Sequence, residues 1–253
     1  MTEILLHGAL GHMGRAVAEL AAEDEAVKIV CGVDAMAASD EQDRFPLAFS
    51  LSDVNIKADV IVDFSTAAAT DELLDYCLDK KLPCVLCTTG LSDEQLKRVE
   101  EASKQIAILR SANMSLGINL ICSLLSEVSP LLTSEGFDVE ILEKHHSRKL
   151  DAPSGTALVM AEAVNSSLSK PYDLVMDRSE RRQTRPKAEI GISSIRGGTI
   201  VGEHDVIFAG EDEIITLSHT ASSRRVFARG AIAAAKFLAG KAPGMYSMRD
   251  LFS

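Results

Sequence analysis

Over its first 110 or so residues the chain alternates short apolar runs with amphipathic ones, and the first apolar run leads directly into regularly spaced glycines. Runs over 4–7, 28–33, 59–64, 83–87 and 106–110 are nearly continuous in Val, Ile, Leu and Cys, as strands buried on both faces are. Between them, helices are expected over 13–23, 67–78 and 93–103. The last opens with Ser92 and, three positions on, Gln95, a capping box. Strand–helix alternation of this kind builds a parallel sheet with right-handed crossovers. After Asn113 the pattern changes. A long helix is expected over 116–133, then the strictly alternating Phe137-Asp138-Val139-Glu140-Ile141, a helix over 156–168, β-rich runs over 190–208 and 213–219, and an Ala-rich helix over 226–239. The stretch 179–189, rich in Arg and Gln, is expected as a mobile loop.

The expected fold class is therefore α/β. Residues 1–115 plus 226–253 form a Rossmann-type dinucleotide-binding domain. Residues 116–225 are expected to form an inserted, antiparallel α+β domain. The glycines support the first part. Gly8, Gly11 and Gly14 make G-x-x-G-x-x-G, a variant of the dinucleotide fingerprint, at a strand-to-helix turn where backbone N–H groups meet a pyrophosphate. Ala9, His12, Met13 and Arg15 complete that loop. Asp34 ends the second strand 20 residues after Gly14, placed to bond ribose hydroxyls. The residues after it, Ala35, Met36, Ala37 and Ala38, bring no cation for a 2′-phosphate, and His12 and Arg15 are the local cations. NADH preference, or use of both NADH and NADPH, is expected. Ligands of such sheets lie at the carboxyl ends of strands. That adds Ser65 and Thr66, the run Cys87-Thr88-Thr89-Gly90, and Ser111, Ala112, Asn113 and Met114 as candidate cofactor contacts. Ser and Thr there are also ordinary helix caps.

A second concentration of chemistry runs from Glu143 to Ala157: EKHHSRKLDAPSGTA. On a strand, Glu143 and His145 face one way and Lys144 and His146 the other, so the paired histidines cannot easily chelate one metal. No metal site is expected. Pro153 fixes a turn, and Ser154, Gly155 and Thr156 open a helix whose N–H groups suit a carboxylate. Lys149 adds a point cation for the same anion, with a titratable imidazole beside it. The net charge of −11, from 26 basic and 37 acidic side chains, argues against nucleic acid and anionic membrane as partners. No apolar run reads as long enough to span a bilayer, and the start of the chain carries no basic n-region. Five scattered cysteines suggest free thiols in a reducing cytoplasm. Cys84 and Cys87, three apart on a strand, face opposite sides and are expected as buried thiols rather than a redox pair.

The run from Glu143 to Ala157 closely resembles the signature of the dihydrodipicolinate reductase family. The likeness extends over nearly the whole chain, through the Gly8 loop, Phe64-Ser65-Thr66, Thr88-Thr89-Gly90, Asn113-Met114-Ser115, Arg196-Gly197-Gly198, Ile200-Val201-Gly202-Glu203-His204 and Ser222-Ser223-Arg224. The resemblance implies NAD(P)H-dependent reduction of 4-hydroxy-tetrahydrodipicolinate, via dihydrodipicolinate, on the diaminopimelate route to lysine, by a homotetramer whose inserted α+β domain, a mixed, open sheet, serves substrate binding and oligomerisation. It implies His145 as catalytic acid/base, Lys149 as proton donor, His146 as substrate-binding, and Gly155 and Thr156, beside Ser154, as holding a carboxylate of the dicarboxylate substrate. Two departures stand out. His12 stands where many members carry Arg or Lys. Cys87 stands where many carry Gly, and is expected to crowd the cofactor. The alternatives are a related amino-acid dehydrogenase, which the 151–156 turn disfavours, and a non-catalytic dinucleotide sensor, which would have no use for His145 and Lys149.

Overall fold

The structure is a computed structural model that describes residues 1–37 and 44–252; Ala38, read above for its lack of charge, lies outside them. The chain divides into two compact units, Met1–Leu116 with the chain from Arg224 onward, and Gly117–Ser223.

The first unit begins β1 (Thr2–His7), α1 (His12–Ala22), β2 (Val27–Val33), β3 (Leu47–Ala48), β4 (Val60–Asp63), α2 (Thr70–Lys80), β5 (Cys84–Leu86), α3 (Asp93–Ser103) and β6 (Ala107–Arg110). The second unit holds α4 (Leu116–Ser134) beyond its first residue, then β7 (Asp138–His145), α5 (Gly155–Asn165), β8 (Asp173–Val175), β9 (Glu189–Arg196), β10 (Gly202–Ala209) and β11 (Ile214–Ala221). The chain returns to the first unit with α6 (Arg225–Leu238) and β12 (Gly244–Tyr246).

The seven strands of the first unit form one parallel sheet in the order β12-β6-β5-β4-β1-β2-β3. Strand order reverses at β1: β2 and β3 extend to one side of it, β4 to β6 to the other. Loops leaving β1 and β4 therefore diverge and open a crevice at the carboxyl edge. Successive strand residues alternate between two cores. Ile4, Leu6, Val62, Val85 and Leu109 pack with Val17 and Leu20 of α1 and the small side chains of α6. Leu5, Ile61, Cys84, Leu86 and Ile108 pack with Leu73 and Leu74 of α2 and Val99 of α3. Cys84 and Cys87 thus fall into opposite cores, and every cysteine is a buried free thiol. On α6 the alanines bring its backbone close, and a Cβ on Gly230 would lie 1.6 Å from the Met114 carbonyl oxygen.

The second unit is a five-stranded mixed sheet, β11-β10-β7-β9-β8. β10 runs antiparallel to β7 and β11, while β9 runs parallel to β7 and β8. One face is dry: Val139, Ile141, Ile190, Ile192, Val206 and Phe208 meet Ile118, Cys122 and Leu125 of α4 and Met160 and Val164 of α5. The residues between them, Leu142, Ile195, Ile207 and Ile214, lie on the other face, where Ile195 and Ile214 are exposed. Two sequence expectations are corrected here. The 179–189 stretch is tied down. Arg185 donates to Glu140 (2.8 Å), Asp138 (3.0 Å) and the carbonyls of Val139 and Glu189, and Arg178 and Arg181 both reach the Glu189 carboxylate. And α4, with 19 residues, is long and apolar enough by length and composition to cross a membrane, although Glu127 and Pro130 interrupt it and one side packs on the sheet.

Candidate functional site

In the first unit the crevice is shaped by absent side chains. Gly8 has φ +76°, and a Cβ there would meet the Phe64 carbonyl oxygen at 2.6 Å; one on Gly14 would meet the Gly8 oxygen at 2.2 Å. These contacts draw the β1 loop, the start of α1 and the end of β4 together so closely that only glycine fits. The N-cap of α1 is Gly11, with no side chain to bond the first-turn amides, so the positive end of the helix is left for a ligand. Asp34 accepts hydrogen bonds from Leu10 N and Met36 N, both 2.9 Å, and each oxygen keeps a lone pair for a hydroxyl. Beside it a cavity of about 170 Å³ is lined by Ala9, Leu10, Arg15, Arg44 and Phe45. Arg15 is held by the Leu10 carbonyl at 2.9 Å. The expectation of only two local cations is corrected: Arg44, ten residues beyond Asp34 in the sequence, is a third. The crevice fits an extended, anionic dinucleotide.

The later loops are partly self-occupied. Asp63, fully buried at the end of β4, lies 2.9 Å from His7 Nδ1 and accepts from the Ser65 hydroxyl at 2.6 Å. Thr66 caps no helix through its side chain. Cys87, expected beside the cofactor, turns inward. Its side chain is buried in the core on the α1 side, with Sγ 3.8 Å from the Val85 carbonyl, and burial, then the Asp63 charge, push its thiol pKa well up. Thr88 is buried with its hydroxyl unpartnered among the described residues, and Gly90 has φ +77°. Ser111 bonds the Asn113 backbone, the Asn113 side chain caps Ser115 N at 2.9 Å, and Met114 is buried in the core. His12 and Ala112 are exposed and Met13 packs partly on the core.

In the second unit, alternation on β7 turns Glu143 and His145 to the buried face and Lys144 to the other, where its ammonium meets Glu203 at 2.9 Å. The fully buried Glu143 carboxylate receives both Arg196 Nη groups (2.8 and 2.7 Å), the Ser154 amide (3.1 Å) and lies 2.6 Å from His145 Nδ1. Burial alone would raise its pKa. The hydrogen bonds of Arg196, Ser194 and His145 outweigh that and hold it at about 2. Ser154 N-caps α5 by accepting from Ala157 N at 3.2 Å, and its hydroxyl lies 3.0 Å from His204 Nε2. Ser154 is thus turned into the frame, with amide and hydroxyl both engaged, which differs from the expectation that it faces a ligand. Gly155 stands at the open helix end with no atom within 4 Å of where a Cβ would be, and Thr156 follows it.

His204 stacks edge-on to His145, ring centroids 5.1 Å apart. Burial first, then the neighbouring His145, lower the His204 pKa to about 4, so it is neutral at neutral pH. A Cβ on Gly202 would come 3.1 Å from His145 Nε2. Lys149 forms an ion pair with Asp151 at 2.8 Å, and that hydrogen bond lowers the Asp151 pKa. The Ala152–Pro153 peptide is cis and His146 is half-buried. The arrangement joins an imidazole, a guanidinium and a helix start through one carboxylate.

Sequence reasoning assigned no role to three residues of this frame. Glu143 shares a strand face with His145, a signal present in the alternation. Arg196 and His204 lie more than 50 residues away and become neighbours only through register, Arg196 opposite His145 and His204 opposite Glu143. Among the described residues, no group of three or more His, Cys, Asp or Glu is arranged to hold a metal ion.

Comparison with known proteins is consistent along the chain. Residues 2–114 match the family model described as dihydrodipicolinate reductase, N-terminus, and 117–252 the one described as dihydrodipicolinate reductase, C-terminus. The 4-hydroxy-tetrahydrodipicolinate reductase of Caldanaerobacter subterraneus subsp. tengcongensis is 51% identical, covering 99% of this chain and 98% of that protein. The Clostridium novyi protein of the same name is 46% identical at the same coverage. Among solved structures, a dipicolinate-bound dihydrodipicolinate reductase from Paenisporosarcina sp. TG-14 superposes with a TM-score of 0.82 at 25% identity, covering 98% of this chain and 97% of that one. An aspartate dehydrogenase from Thermotoga maritima shares the fold at 11% identity, with a TM-score of 0.53 over 96% of this chain and 98% of that one.

Proposed function

The chain belongs to the dihydrodipicolinate reductase family, and from that premise we propose that it reduces 4-hydroxy-tetrahydrodipicolinate, via dihydrodipicolinate, to tetrahydrodipicolinate on the diaminopimelate route to lysine. The observation that carries the reading within this chain is the imidazole of His145, held by a buried carboxylate that also receives the amide of Ser154, the N-cap of α5. A dicarboxylate ring needs an anion site, and Gly155 N, Thr156 and Lys149 supply donors for it. His146 adds a further donor. Reduction of an unsaturated ring leaves carbanion character at carbon, and His145 and Lys149 are the groups that deliver the proton there. The nicotinamide, when bound, supplies the hydride. Gly8 to Arg15 would hold its pyrophosphate and Asp34 its ribose, with the Ser65–Thr66, Cys87–Gly90 and Ser111–Met114 loops along the crevice.

Use of both NADH and NADPH is favoured by what surrounds Asp34. Its carboxylate suits ribose hydroxyls, while Arg15 and Arg44 beside it offer charge to a 2′-phosphate. We further propose a homotetramer assembled on the sheet face that bears Leu142, Ile195, Ile207 and Ile214, in the cytoplasm; light scattering on the purified protein gives the mass. The test of the activity is oxidation of NADH, and of NADPH in parallel, with substrate generated in situ by the preceding synthase. Absence of oxidation at saturating substrate rejects the reading, and a hundredfold preference for either nucleotide rejects dual use.

A further inference from the structure

We propose that Glu143 is a positioning residue. Its carboxylate holds the His145 imidazole with the proton on Nδ1, leaving Nε2 to exchange protons with the ligand, and through the Ser154 amide it fixes that ring relative to the helix start bearing Gly155. The inference rests on the reading of His145 as the acid of the reaction.

An ion pair with Arg196 would by itself explain a buried carboxylate in this sheet. The geometry asks for more. Oε2 serves Arg196 Nη1 and His145 Nδ1; Oε1 serves Arg196 Nη2 and Ser154 N. These four donors occupy both oxygens, Ser194 adds a further hydrogen bond from β9, and three of the groups so held belong to the site itself. His145 is the imidazole, Ser154 is the N-cap of the anion-binding helix, and Arg196 also donates to the Asp151 carbonyl at 2.7 Å, whose side chain holds Lys149. One carboxylate therefore sets three separate segments against one another: the end of β7, the start of α5 and the turn that carries Lys149. Glu143 stays ionised through the working pH range, so it can only accept, and Nδ1 must be the donor. His204 cannot substitute, because its Nε2 is turned to the Ser154 hydroxyl.

The substitution Glu143→Gln separates these roles. The Ser154 amide needs an acceptor at Oε1, so the amide nitrogen of the new side chain falls at the His145 corner. Facing a donor, Nδ1 becomes an acceptor and the ring proton moves to Nε2. In the intact protein labelled with ¹⁵N-histidine, long-range ¹H–¹⁵N spectra at neutral pH should show His145 protonated at Nδ1, and Glu143→Gln should move that proton to Nε2. Turnover in Glu143→Gln should fall by about 10- to 100-fold, with substrate KM changed less than about threefold and NADH affinity unaltered. In a His145→Gln background the same substitution should change kcat by less than about twofold, because the two act as a unit.

Losses that multiply in the double variant, or a wild-type neutral His145 with its proton on Nε2 and Nδ1 bare, would overturn the proposal. If Glu143→Gln does not fold, Glu143→Asp keeps the charge one methylene short of the ring, and the same tautomer change is expected; an unchanged tautomer in that variant also counts against it. Absence of NADH oxidation by the wild type would reject the activity and leave the tautomer measurement to decide the positioning.

Discussion

The crevice of the first unit and the acid site of the second are made of different material. The crevice is backbone: helix-start amides, carbonyls and glycines, with Asp34, Arg15 and Arg44 at its edge. The acid site is side chain: Glu143, His145, Ser154, Arg196 and His204 in one bonded network. A backbone site is specified by what must be absent. Its polar groups come with any residue, and what it refuses is a single methyl at Gly8 or Gly14. A side-chain site is specified by what must be present and by the order in which each group satisfies the next. The first depends on close approach, the second on desolvated charge, and their failures should look different.

Four experiments bear on that contrast. The largest effect belongs to the side-chain site. His145→Gln should lower kcat by about two to four decades, with smaller change in KM and none in NADH affinity; steady-state kinetics and a fluorescence titration read the two parts. If NADH binding fell with it, the sites would not be separate.

Next is the backbone site. Gly14→Ala places a carbon 2.2 Å from the Gly8 oxygen. The start of α1 must shift, at about 1–3 kcal/mol, with a loss of NADH affinity of tenfold or more. Calorimetry and titration should show both, with the His145 tautomer untouched.

The third concerns pH. His204 titrates near 6.5 unfolded and about 4 folded, so between those values the unfolded chain binds the extra proton. Stability contributed by its neutral form is complete above pH 6.5 and is lost as pH falls toward 4; Glu143 extends the loss below its unfolded value of 4.5 toward about 2. The thermal midpoint should drop over the upper window, and His204→Asn should flatten that part of the curve. A variant with an unchanged slope there would show that the charge balance lies elsewhere.

The smallest effect is Cys87→Ala, which removes a sulfur turned into the core. It should cost about 1 kcal/mol of stability and leave NADH affinity within about twofold.

Much of this was legible in the sequence because the signals are local. The parallel αβ alternation, the glycine turn, the capping box at Ser92 and the alternation that sorts Glu143 and His145 from Lys144 each occupy a few adjacent residues. What escaped was short or distant. The strands Leu47–Ala48, Asp173–Val175 and Gly244–Tyr246 have two or three residues, too few to show a period. The 179–189 stretch looks loose by composition because its arginines are charged. It is held because Glu140, Asp138 and Glu189 sit where those arginines reach. Arg44 approaches Arg15 by tertiary folding alone. Ser154 matched a ligand-binding pattern and a capping pattern equally well, and only the positions of Glu143 and His204 show where its polar atoms go.

One consequence follows from Gly202, the residue whose missing side chain leaves 3.1 Å between an added carbon and the His145 ring. In a population of variants the two positions are not independent. A methyl at 202 presses on a ring that a smaller residue at 145 would not present. Deep mutational scanning should therefore find substitutions at 202 penalised while His145 is kept, and tolerated in libraries where it has already been lost. A lineage that abandoned the chemistry would be expected to drift at 202 soon afterwards, a genetic signature of lost activity readable without any assay.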